Sequence, residues 1–125
     1  MTTEVPLSGE VRDRCRGFLP AGAELRYLFP AITLNPGMAP VLVAVTSRTV
    51  TILTCSFLRR NRPNGVLAHY PRTSRLGPVD IRTTATIEIG STMLEIEDEY
   101  IPVVRCADAE IDETTFLPPD PLPDL

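Results

Sequence analysis

Apolar and polar positions alternate in short runs along most of this chain, and a period of two predicts β-strands. In segment 24–34, Leu25, Tyr27, Phe29, Ile32 and Leu34 are apolar, and Pro30 marks an edge position or a bulge. The runs VLVAVT (41–46) and TVTILTCSF (49–57) flank Ser47-Arg48. A two-residue turn there sets Val45 opposite Val50 and Val43 opposite Ile52. A second hairpin joins ATIEI (85–89) to TMLEI (92–96) through Gly90-Ser91, a glycine-first pair suited to a type II′ turn. Its register pairs Ile89 with Thr92, Ile87 with Leu94 and Ala85 with Ile96, which leaves Thr86, Glu88 and Glu95 on the other face. GVLAHY (65–70) reads as a strand between the hairpins, and Tyr100–Cys106 (YIPVVRC) as a seventh.

One segment keeps a helical period instead. Val11, Cys15, Phe18 and Leu19 share a stripe, with Ser8 as N-cap and Pro20 as the stop, so residues 9–19 are predicted to be a packing helix. The expected fold is mainly β: one antiparallel split barrel, or two packed sheets, of about seven strands over residues 24–106. The N-terminal helix completes a single domain spanning 1–106. Val43, Val45, Val50, Ile52, Ile87, Ile89, Leu94 and Ile96 should form its core. Residues 107–125 carry six acids and four prolines and no base, and read as an acidic proline-rich tail, free or docked.

Charge changes this picture. The net charge of −4 conceals a split. Seven arginines and one acid lie in 48–82, whereas eleven acids and one base, Arg105, lie in 83–125. Such a division speaks of partners, or of one part of the chain folding onto another. Every base is arginine, as GC-rich coding favours, and the acidic balance argues against general nucleic-acid binding.

Candidate chemistry is sparse. Cys15, Cys55 and Cys106 are far apart and form no zinc pattern, so they are expected to be buried free thiols and no metal site is expected. His69 sits mid-strand with no serine elbow in the chain, which makes it structural and leaves no catalytic residue. Glu95, Glu97, Asp98 and Glu99 lack the spacing of a calcium loop. No cofactor motif occurs. Without a leader or a 20-residue apolar run, the chain is expected to be cytoplasmic, with no transmembrane segment.

Short antiparallel strands around VLVAVTSRTVTILTCSF, with its Val45-Thr46-Ser47-Arg48 turn, resemble the bacterial pleckstrin-homology-like (PH-like and GRAM-like) domains. The following RRNRPNGVLAHYPRTSRLGPVD is similar to a small actinobacterial group in that superfamily. The resemblance implies a split barrel closed at one end by a C-terminal helix. Here prolines crowd that region, so either ADAEIDE (107–113) or the N-terminal helix is expected to do the closing. The loop NPGMAP (35–40) carries no base, so no inositide site is implied.

The expected function is a non-catalytic binding or scaffolding module. Arg59, Arg60 and Arg62 on a predicted loop, with Arg72 and Arg75 beyond, present guanidinium forks suited to carboxylates or phosphates. The expected partner is a protein with an acidic surface, or another anionic ligand. The alternatives are a small nucleic-acid-binding barrel of OB or Sm type and a structural subunit of a larger, even viral, assembly.

Overall fold

A computed structural model describes residues 9–34, 37–58 and 61–116, with side chains as far as residue 111. Helix α1 (Gly9–Arg16) precedes six strands: β1 (Leu25–Thr33), β2 (Pro40–Thr46), β3 (Thr49–Cys55), β4 (Pro63–Pro71), β5 (Thr86–Ile89) and β6 (Thr92–Glu95). A 3-10 turn, Asp98–Tyr100, leads into helix α2 (Ile101–Phe116). The strands form one antiparallel sheet in the order β4-β3-β2-β1-β6-β5. It curls into a half-barrel, because β3 and β5, far apart in that order, bury Val50, Ile52, Ile87 and Ile89 in the same cluster.

Both hairpin registers follow from the apolar pattern. Val45 faces Val50 and Val43 faces Ile52, while Ile89 faces Thr92 and Ile87 faces Leu94. Beyond the second hairpin the Ile96 amide donates to the Ala85 carbonyl at 2.9 Å. Gly90 has φ +60°, and among the described residues none other than glycine has positive φ, which fits the type II′ turn and not type I′. All eight expected core residues are buried on the concave face.

Strand β2 is buried along its whole length. Val41, Val43 and Val45 face the concave core. Leu42 and Ala44 face a second cluster with Leu28, Leu53, Cys55 and Cys15 of α1. Helix α1 therefore covers the convex side. It ends earlier than its periodicity suggests: a turn begins at Gly17, and Phe18 is exposed. The expected cap Ser8 lies outside the described residues.

The expected seventh strand is a helix. Tyr100–Cys106 forms the end of the 3-10 turn and the first turns of α2, which continues through ADAEIDE. Pro102 sits in the first turn, where its missing N–H costs nothing. Tyr100, Val104 and Ala107 pack against the concave core, and the Tyr100 ring stacks on Phe29 at 6.4 Å between centroids. Helix α2 thus fills one end of the half-barrel. Pro30 lies within β1, on a stretch with no β6 neighbour, since β6 pairs only with Ile32 and Thr33. Its lost donor therefore breaks no rung on that side.

Candidate binding cleft and arginine loop

Five arginines were candidates for ligand contact, and the fold uses them differently. Arg72, at the end of β4, has a side chain only 14% exposed. Its Nη2 donates to the Ala107 carbonyl at 2.8 Å and to Glu110 Oε1 at 3.4 Å. Glu110 also accepts from Arg26 Nε at 3.2 Å and Nη2 at 3.0 Å, and from the Tyr27 hydroxyl at 2.6 Å. These bonds, that from Arg26 first and that from Tyr27 next, hold the Glu110 carboxyl below its ordinary range. Burial, reinforced by the bond to Glu110, pushes the Tyr27 phenol up to about 12. Arg72 is therefore an internal strut joining β4 to α2, which removes it from the contact surface.

Two residues earlier on α2, Asp108 spans the same boundary. Its two carboxylate oxygens accept the backbone N–H groups of Leu76 and Gly77, each at 2.9 Å. The near end of the acidic segment is thus folded onto the basic middle of the chain, through Asp108 and Glu110. Arg82 is engaged locally with Asp80, at 2.7 Å between Nη2 and Oδ2.

Arg62 and Arg75 are exposed, while Arg59 and Arg60 lie outside the described residues. Immediately before that arginine run, Phe57 is 72% and Leu58 93% exposed. Phe57 also borders a small apolar hollow of about 170 Å³ with Met38, Ile32 and Pro40. The β3–β4 connection therefore presents large apolar side chains and, at Arg62, an exposed guanidinium group.

The larger concavity, about 740 Å³, opens at the seam of the half-barrel between β4 and the β5–β6 turn. Leu67, Ala68 and Tyr70 line one wall and Ser91 and Thr92 the other, with Met38 at the rim. No charged side chain lines it among the described residues. At one point the seam is bridged: the Tyr70 hydroxyl lies 3.3 Å from Thr92 Oγ1. The Tyr70 ring also lies against Gly90, so closely that a Cβ there would meet its Cε1 at 2.5 Å. No feature of the linear pattern marked this cleft, because its walls come from strands that meet only through the curl.

His69 is exposed, and its Nδ1 lies 3.2 Å from Thr51 Oγ1, on the face away from Ala68 and Tyr70. Among the described residues no group of three His, Cys, Asp or Glu side chains is placed to hold a metal. Cys15 and Cys55 are buried together and burial pushes both thiols up to about 11. Cys106 is exposed, against expectation, because it falls on the outer side of α2 and not in a strand. No helix among the described residues is long and apolar enough to cross a membrane. Comparison with protein-family models, with curated proteins and with solved structures finds no match to this chain.

Proposed function

We propose that this protein is a non-catalytic binding module of PH-like type that takes an acidic protein segment at its β3–β4 loop. The observation that carries the reading is the pairing of Phe57 and Leu58, both strongly exposed, with the arginine run that follows them and ends at the exposed Arg62. Large apolar side chains left in water beside cations are the usual composition of a contact surface, where apolar anchors supply affinity and charge selects the partner. A sheet whose first four strands follow in sequence and whose end is filled by a C-terminal helix supports the PH-like part. The contact set narrows to Arg59, Arg60 and Arg62, with Arg75 to one side, since Arg72 is internal.

Replacing Arg59, Arg60 and Arg62 together by serine tests the reading. Binding of a fluorescent poly-glutamate peptide should weaken at least tenfold at low salt, with the melting temperature nearly unchanged, because exposed charges contribute little to stability. Binding that survives the substitution removes the loop from the site.

A further inference from the structure

Among the described residues, strand β4 forms one edge of the sheet and pairs only with β3. Edge strands are normally shielded by charge, proline or a covering element. From Gly65 to Tyr70, β4 has no charged residue and no proline. Its Val66 and Leu67 are 50% and 48% exposed. Ala68 and Val66 pair with the consecutive residues Ile52 and Leu53, so Leu67 is the extra residue of a bulge, and its side chain lines the cleft. The Arg72 amide donates to the Arg48 carbonyl at 3.0 Å. By the alternation of an antiparallel ladder, Tyr70 and Ala68 then turn their backbone groups to β3, and His69 turns its N–H and C=O to the free side.

We propose that β4 takes a seventh strand from a partner: an extended peptide with small or β-branched uncharged residues, followed by acidic residues. The proposal rests on the acidic-partner reading above and states how that partner is held. The added strand runs antiparallel to β4, its outward amide and carbonyl partners beginning at His69. Alternate side chains enter the uncharged cleft beside Leu67, Ala68 and Thr92. A volume of about 740 Å³ lies within the range that holds a ligand of several residues. Antiparallel pairing carries the C-terminal end of the peptide past Pro63 toward Arg62, which is where its acids belong. Main-chain bonds supply affinity and the alternate pockets supply selectivity. A second copy of this chain fits less well. Strand β4 carries no acid, so an edge-to-edge pair of β4 strands would bring Arg62 no counter-charge.

The probe is an acetylated peptide of three threonine–valine repeats followed by three aspartates, tested on the intact chain. A control has the aspartates first. Two further versions carry N-methyl groups, one on the valine amides and one on the threonine amides; each set occupies one edge of an extended peptide. The aspartate-last peptide should bind at least tenfold more tightly than the aspartate-first one. Methylation of one set should cost at least tenfold and methylation of the other should be tolerated, and the His69 amide should become slow to exchange in the complex. No binding, equal binding of both methylated versions, or an unchanged His69 amide overturns the proposal. So does protection of His69 in a concentration-dependent dimer without peptide, which would make a second copy the occupant. Binding that depends on Arg59, Arg60 and Arg62 yet ignores methylation sinks strand addition alone. Binding that obeys methylation yet ignores those arginines sinks the loop reading alone.

Discussion

Glu110 is where the acidic and basic parts of this chain are tied together, so Glu110→Ala is the most telling perturbation. The Tyr27 hydroxyl donates to its carboxylate at 2.6 Å from a part-buried site, and a hydrogen bond to a charged group contributes about 1.5–3 kcal/mol. The Arg26 side chain is 39% exposed, so that ion pair is screened by solvent and adds little. Arg72, largely buried, would keep the Ala107 carbonyl but lose its counter-charge, at a cost of about 1 kcal/mol. Together these give about 2.5–4 kcal/mol. For a chain of this size that lowers Tm by on the order of 10–16 °C. Thermal melts followed by circular dichroism read it directly. Glu110→Gln keeps an acceptor for Tyr27 and should lose about half as much.

The pH profile separates charge from packing. The Glu110 carboxyl is depressed in the folded chain, so its contribution is complete above the unfolded value of about 4.3 and is lost as pH falls through the folded value. The gap between the native chain and Glu110→Gln should stay constant from about pH 8 to pH 5 and close below about pH 4. The Tyr27 phenol, raised to about 12, keeps its bond across this whole range. A Glu110→Ala melt within 1–2 °C (roughly half a kcal/mol) of the native one, or a gap that persists unchanged on acidification, would refute the charge-tether reasoning.

Gly90→Ala should destabilise by about 2–4 kcal/mol, since it combines φ +60° with a Cβ placed 2.5 Å from the Tyr70 ring. In a Tyr70→Ala background the loss should shrink by the clash component, which a double-mutant cycle of urea melts would measure. Ile87→Ala, at a site 1% exposed in the concave core, should cost about 2–5 kcal/mol by the same assay; a loss under 1 kcal/mol would contradict that core. Of three thiols, a disulfide reagent at pH 8 should modify Cys106 quickly, while Cys15 and Cys55, buried and with thiols raised to about 11, react only on unfolding.

Local pattern was sufficient wherever neighbours in sequence are neighbours in the sheet. The two hairpins were legible to the residue, because a slip at Val43–Ile52 or Ile87–Leu94 would turn the whole apolar set outward. Tyr100–Cys106 reads as strand for a definable reason: Val103 and Val104 favour strand, and the helical stripe through Tyr100, Val104 and Ala107 straddles the point where the acids become dense. Those acids read as a solvated tail, yet Asp108 and Glu110 face backbone amides and guanidinium groups supplied by β1 and the β4–β5 connection. Nothing in linear order reveals that Arg72 has fixed partners in Glu110 and the Ala107 carbonyl while Arg62 stands exposed. The cleft was illegible for the same reason, since Tyr70 and Thr92 meet only after the sheet has curled.

The ladder between β1 and β6 consists of two residue pairs, Ile32 with Glu95 and Thr33 with Leu94, extended by one bond from the Leu34 N–H to the Met93 carbonyl at 3.0 Å. A sheet so thinly joined behaves as two cooperative pieces, one built from sequential hairpins and one from β5, β6 and α2. The first can zip up from local contacts, whereas the second must close a long loop before its contacts reward it. In the folded chain the second piece is also the one expected to part first under denaturant or force. What holds the pieces together in ordinary conditions is the shared concave core, where Phe29 and Ile52 meet Ile87, Leu94 and Tyr100, with the struts of Arg72 and Arg26 on Glu110 and of the Leu76 and Gly77 amides on Asp108 beside it. Acid that protonates Glu110, whose carboxyl is held below its ordinary range in the folded chain, would therefore loosen the tie between α2 and the strands it braces.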